Sequence, residues 1–245
     1  MTVSRRLALL LALAAVALAL PALPVLAEES AAKPLPDPKR WEAQVEAFEK
    51  QDAEKPQPDG VIVFVGSSTI RMWKGVSDDF KPLNVIGRGI GGCIIPDTTH
   101  YAERLVLKYK PSQVVFYAGD NDTNMGRKAP QVLADFQAFC AKIHEARPGT
   151  PIHFMAIKPS PSRARIWDEV QRCNAAVREW AEKQPCVTYL DTAAPMLDAQ
   201  GKVREDIFLK DMLHLNAEGY KLYVPIIKAA LEKAAKDMAE KKAAK

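Results

Sequence analysis

Residues 61–70 read Val61-Ile62-Val63-Phe64-Val65-Gly66-Ser67-Ser68-Thr69-Ile70. Apolar, mostly β-branched side chains fill 61–65 without alternation, as expected of a strand covered on both faces. Gly66 and two serines then punctuate the run and turn the chain into its next element. Similar apolar runs follow at Leu83-Asn84-Val85-Ile86, at Val114-Val115-Phe116-Tyr117 and at residues 152–157, with a weaker one at Val187-Thr188-Tyr189-Leu190. Helical periodicity fills the gaps. Tyr101, Leu105 and Tyr109 recur four apart and predict a helix over 98–109; Val132, Phe136, Phe139 and Ile143 predict one over 130–146; Ile166, Val170, Val177 and Trp180 predict one over 166–182. Asn216 is placed to cap a last helix carrying Ile227, Leu231 and Met238, with Pro225 expected to kink it.

Strands alternating with helices predict an α/β protein: a parallel sheet of about five strands wrapped in helices, a flavodoxin-like three-layer α/β/α sandwich. No internal repeat is visible. The expected organisation is a signal peptide over 1–27, a linker and N-terminal helix over 28–58, one α/β domain over 59–235 and a Lys-rich helical tail over 236–245. In the second segment, Trp41, Val45 and Phe48 mark a short amphipathic helix ended by Pro56 and Pro58.

The signal-peptide reading rests on Arg5 and Arg6, the apolar run 7–20, Pro21, and the small residues around Ala27. It predicts a periplasmic or secreted protein free of the membrane after cleavage; an uncleaved anchor is the alternative. Removing 1–27 takes two arginines and no acidic residue, so the formal charge falls from +4 by two to +2. So small an excess gives no footprint for nucleic acid. The terminal lysines are interleaved with Glu232, Asp237 and Glu240 and read as a solvated helix face. Cys93, Cys140, Cys173 and Cys186 lack the spacing of a zinc site; they are buried thiols or, in an exported chain, disulfides of open pairing.

In an open parallel sheet, ligands bind beyond the carboxyl ends of the strands. The loops there hold Gly66-Ser67-Ser68, the glycine-rich stretch 87–92, and Gly119-Asp120-Asn121-Asp122; Asp211-Met212-Leu213-His214 precedes the last helix. A serine hydroxyl needs a base before it attacks. His214 supplies an imidazole, and Asp211 can hold the ring's tautomer. The amides of Ser68 and Gly92 and the Asn121 side chain are candidate oxyanion donors. The other histidines fall in helical patterns (His100, His144) or a strand (His153) and read as structural. Arg88, Trp73 and Ile94 are candidates for lining the acyl or alcohol pocket, packing being the alternative for the last two. Residues 120–124 fail the calcium-loop pattern, 87–92 lack the Lys-Ser/Thr ending of a phosphate loop, and Ile70 breaks a Gly-x-Ser-x-Gly elbow.

These segments, in this order, resemble the four blocks of the SGNH hydrolases, the GDSL-type esterase/lipase family. Ser68, Gly92, Asn121 and His214 fall on its Ser, Gly, Asn and His, and Asp211 on the aspartate three residues before the histidine. Ser67 replaces the usual aspartate of the first block and is the rival nucleophile. The resemblance covers about residues 61–231. It implies a Ser68–His214–Asp211 triad, an acyl-enzyme, hydrolysis of carboxylic esters, and no cofactor or metal. A small ester or an acylated glycan is the implied substrate. A carbohydrate O-acetyl esterase and a non-catalytic binding module on the same scaffold are the alternatives. With no lid-sized apolar insertion in the sequence, an esterase fits better than an interfacial lipase.

Overall fold

The computed structural model describes residues 34–243. The expected signal peptide, and the linker up to residue 33, lie outside the described residues. Residues 37–243 belong to one compact unit. The strands are β1 (Ile62–Gly66), β2 (Val85–Gly89), β3 (Gln113–Tyr117), β4 (Ile152–Met155) and β5 (Val187–Leu190). All pair in parallel in the order β2-β1-β3-β4-β5, the flavodoxin-like arrangement expected from the sequence. β1 lies between β2 and β3 and is buried along its whole length, which accounts for its uninterrupted apolar run.

The helices are α1 (Glu42–Glu54), α2 (Ser68–Met72), α3 (Val76–Asp79), α4 (Ile95–His100), α5 (Ala102–Leu105), α6 (Asp120–Asn124), α7 (Ala129–Ala146), α8 (Trp167–Ala181) and α9 (Ala217–Ala243). Alternate strand residues feed two cores. Val63, Val65, Phe116 and Phe154 pack with Val45 of α1, Phe136 and Phe139 of α7, and Val170 and Val177 of α8. Phe64, Val115, Tyr117 and Met155 pack with Ile70 of α2 and with Tyr223, Ile227 and Leu231 of α9. The sheet is therefore the middle of three layers. Burying these side chains is worth about 1.5–3 kcal/mol each before entropy is charged.

Two details depart from the sequence reading. The helix expected over 98–109 is α4, α5 and a 3-10 turn at Leu107–Tyr109. Tyr101 breaks it with φ −92° and ψ 10°, its hydroxyl held by the Pro38 carbonyl at 3.1 Å and by Glu42 at 3.0 Å. The periodicity still marked burial, since Tyr101, Leu105 and Tyr109 are all interior. β2 runs through Gly87 and Gly89, read from sequence as loop glycines, because pairing with β1 continues to Gly66↔Gly89. Pro225 lies inside α9, the last helix expected from the sequence.

Helix α1, set apart in the sequence reading, packs within the same compact unit. Val45 is fully buried, with Trp41 and Phe48 packed on the same core. Asp52 of α1 meets Arg88 and Lys108 at 2.5 Å each, and Arg104 meets Glu42 at 2.5 Å and Glu49 at 2.7 Å.

Candidate active site

β1 ends at Gly66 with φ +138°, where an added Cβ would sit 1.8 Å from the Tyr117 carbonyl oxygen. Only glycine fits so close an approach. The Ser67 amide donates to that same oxygen at 2.8 Å, and the chain turns into α2 with Ser68 as its first residue. This short helix is held from the other side by the Tyr220 hydroxyl, which donates to the Thr69 carbonyl at 2.9 Å. Ser68 is 8% exposed and Ser67 is fully buried, its hydroxyl without a partner.

The loop before α9 is shaped by Asp211. Its Oδ1 accepts the Leu213 amide at 3.0 Å and the His214 amide at 2.9 Å, and Met212 takes φ +53°. The Leu209 amide closes the turn on the His214 carbonyl at 2.7 Å. This leaves Asp211 Oδ2 at 2.6 Å from His214 Nδ1, and His214 Nε2 at 3.0 Å from Ser68 Oγ. A carboxylate only accepts, so Nδ1 carries the proton and Nε2 faces the serine as an acceptor. Burial pushes the Asp211 carboxyl up, but hydrogen bonds from the His214 ring and from the His214 and Leu213 amides outweigh it and hold it down at about 2. The row thus sets an ionised carboxylate, an imidazole ring and a hydroxyl in line, an arrangement able to move a proton off Oγ as a bond forms there.

The glycine-rich loop is anchored from several sides. The Ile90 amide donates to the Gly66 carbonyl at 2.7 Å, and the Gly91 amide donates to Gln44 Oε1 of α1 at 3.0 Å. Gly92 takes φ +87° and faces the Trp41 ring. Asn121 Nδ2 donates to the Cys93 carbonyl at 2.9 Å, tying this loop to α6. The neighbouring Asp122 is fully buried; its Oδ1 accepts the Ile95 amide at 3.0 Å and its Oδ2 has no partner. Burial pushes its carboxyl up to about 7, with Asp120 and Asp135 adding to the shift and the Ile95 amide opposing it.

The three residues expected to line a substrate pocket are engaged elsewhere. Arg88 is buried, donating to Tyr109 Oη at 2.6 Å and pairing with Asp52 at 2.5 Å. Trp73 is buried, stacked on Tyr220 at 4.9 Å between ring centroids, and donates to Asp79 at 2.6 Å. Ile94 is buried, its amide bonded to Asp97 at 3.0 Å. Arg88 and Trp73 border a groove of about 760 Å³ along edge strand β2, whose lining includes neither Ser68 nor His214. The sequence reading overlooked Gln44 and the segment after β4, Lys158 to Arg163. The rim rule applied to β4, as it was to β1, β2 and β3, would have found the second. The four cysteines are free, and among the described residues no His, Cys, Asp or Glu cluster is arranged to hold a metal.

A five-stranded parallel sheet in this order, with these blocks at its carboxyl rim, is the SGNH hydrolase α/β fold. The chain belongs to the GDSL-like lipase/acylhydrolase family, whose sequence profile matches residues 66–222. Membership makes it an ester hydrolase in general terms. No curated protein sequence matches it. It is similar to the solved structure of a GDSL-like lipase from Bacteroides thetaiotaomicron, at 25% identity and a TM-score of 0.66, covering 78% of this chain and 98% of that one. A carbohydrate esterase family 3 protein from Talaromyces cellulolyticus is similar in fold at 19% identity and a TM-score of 0.58, over 72% of this chain and 99% of that one. So is an acetylxylan esterase from Geobacillus stearothermophilus, at 14% identity and a TM-score of 0.56, over 70% and 94%.

Proposed function

We propose that this chain is an exported serine esterase that hydrolyses small carboxylic esters through an acyl-enzyme on Ser68. The supporting observation is the continuous row Ser68 Oγ, His214 Nε2, His214 Nδ1, Asp211 Oδ2, with gaps of 3.0 Å and 2.6 Å. Ser68 Oγ attacks the ester carbonyl as its proton passes to His214 Nε2. Asp211 keeps the resulting imidazolium oriented and stabilised. The negative charge that develops on the carbonyl oxygen is met by the Ser68 and Gly92 amides and by the free N–H of Asn121. Collapse expels the alcohol, which takes the proton from His214. Water then attacks the acyl-serine by the same path and leaves the acid and a free serine. Ser67 fits the nucleophile's place poorly, being fully buried with no bond to the imidazole.

Export rests on the sequence of residues 1–27. Among the described residues no helix is long and apolar enough to cross a membrane. A second reading, an O-acetyl esterase for acylated glycans, draws on the two carbohydrate-directed enzymes among the similar folds. Acetate release from acetylated sugars, set against cleavage of longer acyl esters, separates the two.

Ser68→Ala should lower p-nitrophenyl acetate turnover by about a thousandfold or more and abolish fluorophosphonate labelling, with the fold intact. Undiminished turnover in that variant would refute the assignment.

A further inference from the structure

An amide that donates to an oxyanion works only if its nitrogen, and not its oxygen, faces the substrate. Asn121 has its orientation decided by two neighbours of opposite chemistry. The Cys93 carbonyl, 2.9 Å from Nδ2, can only accept. The guanidinium of Arg163, whose Nη2 lies 2.9 Å from Asn121 Oδ1, can only donate. Flipping the carboxamide would set oxygen against oxygen on one side and nitrogen against nitrogen on the other. One N–H remains for a ligand.

The guanidinium does more than orient. A cation donating to Oδ1 draws electron density through the amide and makes its N–H the stronger donor, a cooperative effect. The charge is also poorly cancelled. Lys158 lies 3.1 Å and Arg163 3.4 Å from the same Asp120 oxygen, and both Lys158 and Asp120 are buried. Two cations sharing one carboxylate leave a net positive charge beside Asn121 Oδ1, where it polarises the amide and acts through its N–H. Arg163 Nη1 is itself buried and has no hydrogen-bond partner.

Arg163 is held in register with the proposed triad. Its 3-10 segment, Pro161–Ile166, follows β4, and the Ser162 amide donates to the Met212 carbonyl at 3.1 Å, inside the Asp211–His214 loop. One short segment therefore touches both the loop that carries the imidazole and the side chain that carries the oxyanion donor.

We propose that Arg163 is a positioning residue for ester hydrolysis, locking and polarising the Asn121 amide so that it stabilises the oxyanion. This rests on the esterase reading above. Arg163→Met should reduce kcat for p-nitrophenyl acetate by about tenfold or more while KM stays within about twofold, since the interaction strengthens only as charge develops. Arg163→Lys keeps the charge but loses the planar fork, and should retain an intermediate kcat. The decisive readout is a double-mutant cycle: in an Asn121→Ala background, Arg163→Met should change kcat by less than about twofold. A role confined to holding the 161–166 segment would multiply with the Asn121 loss instead, and that overturns the proposal. So does unchanged kcat in Arg163→Met, or a loss seen only in KM. Should Arg163→Met fail to fold by circular dichroism, the same cycle is run with Arg163→Ala, which likewise removes the cation, and judged by the same criteria. Wild type and Ser68→Ala serve as references. If wild type hydrolyses the ester and Ser68→Ala does not, the esterase reading stands and the cycle alone judges Arg163. If wild type neither hydrolyses it nor reacts with fluorophosphonate, both readings fall.

Discussion

Replacing Asp122 by asparagine should stabilise the protein above neutral pH and do little in acid. Asp122 lies wholly inside the molecule, with one oxygen on the Ile95 amide and the other without a partner. Burial, abetted by Asp120 and Asp135, raises its carboxyl from the ordinary 3.8 to about 7. A raised carboxyl binds its proton more tightly in the folded chain than in the unfolded one. Below about pH 4 both states hold the proton and no penalty exists. From there to about pH 7 the unfolded chain releases it while the native state keeps it, so stability falls as pH rises; beyond that the penalty is complete. Each tenfold in proton affinity is about 1.4 kcal/mol, so the full penalty is roughly 4 kcal/mol. Asparagine resembles the neutral acid, with one acceptor for Ile95, but sets the two donors of its NH2 where the acid has one O–H, and it cannot ionise. Urea unfolding followed by circular dichroism at half-unit steps from pH 4.5 to 8.5 gives the stability difference between variant and wild type. That difference should grow by roughly 2–4 kcal/mol and then level off near pH 7 to 8. A difference independent of pH would refute the reasoning, because it would mean that Asp122 ionises as easily inside as outside.

Two further outcomes follow from the geometry. Asn121→Ala should lower kcat by about a hundredfold or more, with a stability loss of about 1–3 kcal/mol from the bonds to Cys93 and Arg163; a loss confined to KM would assign Asn121 to ground-state binding instead. Gly66→Ala should destabilise by more than about 3 kcal/mol, visible as a lowered thermal midpoint, because it combines a positive φ with a Cβ directed into the Tyr117 carbonyl. A shift under about 1 kcal/mol would show that the β1–α2 turn relaxes freely.

The layers of the fold were legible because the strands declare themselves. Residues 62–65 and 114–117 are buried on both faces and so carry apolar side chains at every position, and Phe136, Phe139 and Ile143 follow a clean helical period. Gly87 and Gly89 were misread because a strand needs only backbone to pair, and glycine's weak strand preference hides such a segment. The break at Tyr101 depends on hydroxyl contacts to Pro38 and Glu42, some sixty residues upstream, which no local window contains. At the site, Ser68, Asn121, Asp211 and His214 stood out because each sits in a short motif at a strand end or before a helix. Arg163 and Gln44 did not, since an arginine in a Pro-Ser-Pro-Ser stretch and a glutamine on an amphipathic helix have ordinary surface explanations. What makes them notable, the Asn121 oxygen and the Gly91 amide, is purely spatial.

The stretch matched by the family's sequence profile is shorter than the stretch that folds as one unit. A fragment cut to 66–222 would discard β1 up to its last residue, and with it the strand that joins β2 to β3. It would also strip Arg88 of Asp52, stranding an interior cation at a cost of about 3–5 kcal/mol. Family boundaries here mark where chemistry is written, and self-sufficiency begins upstream, at a helix that belongs to no motif.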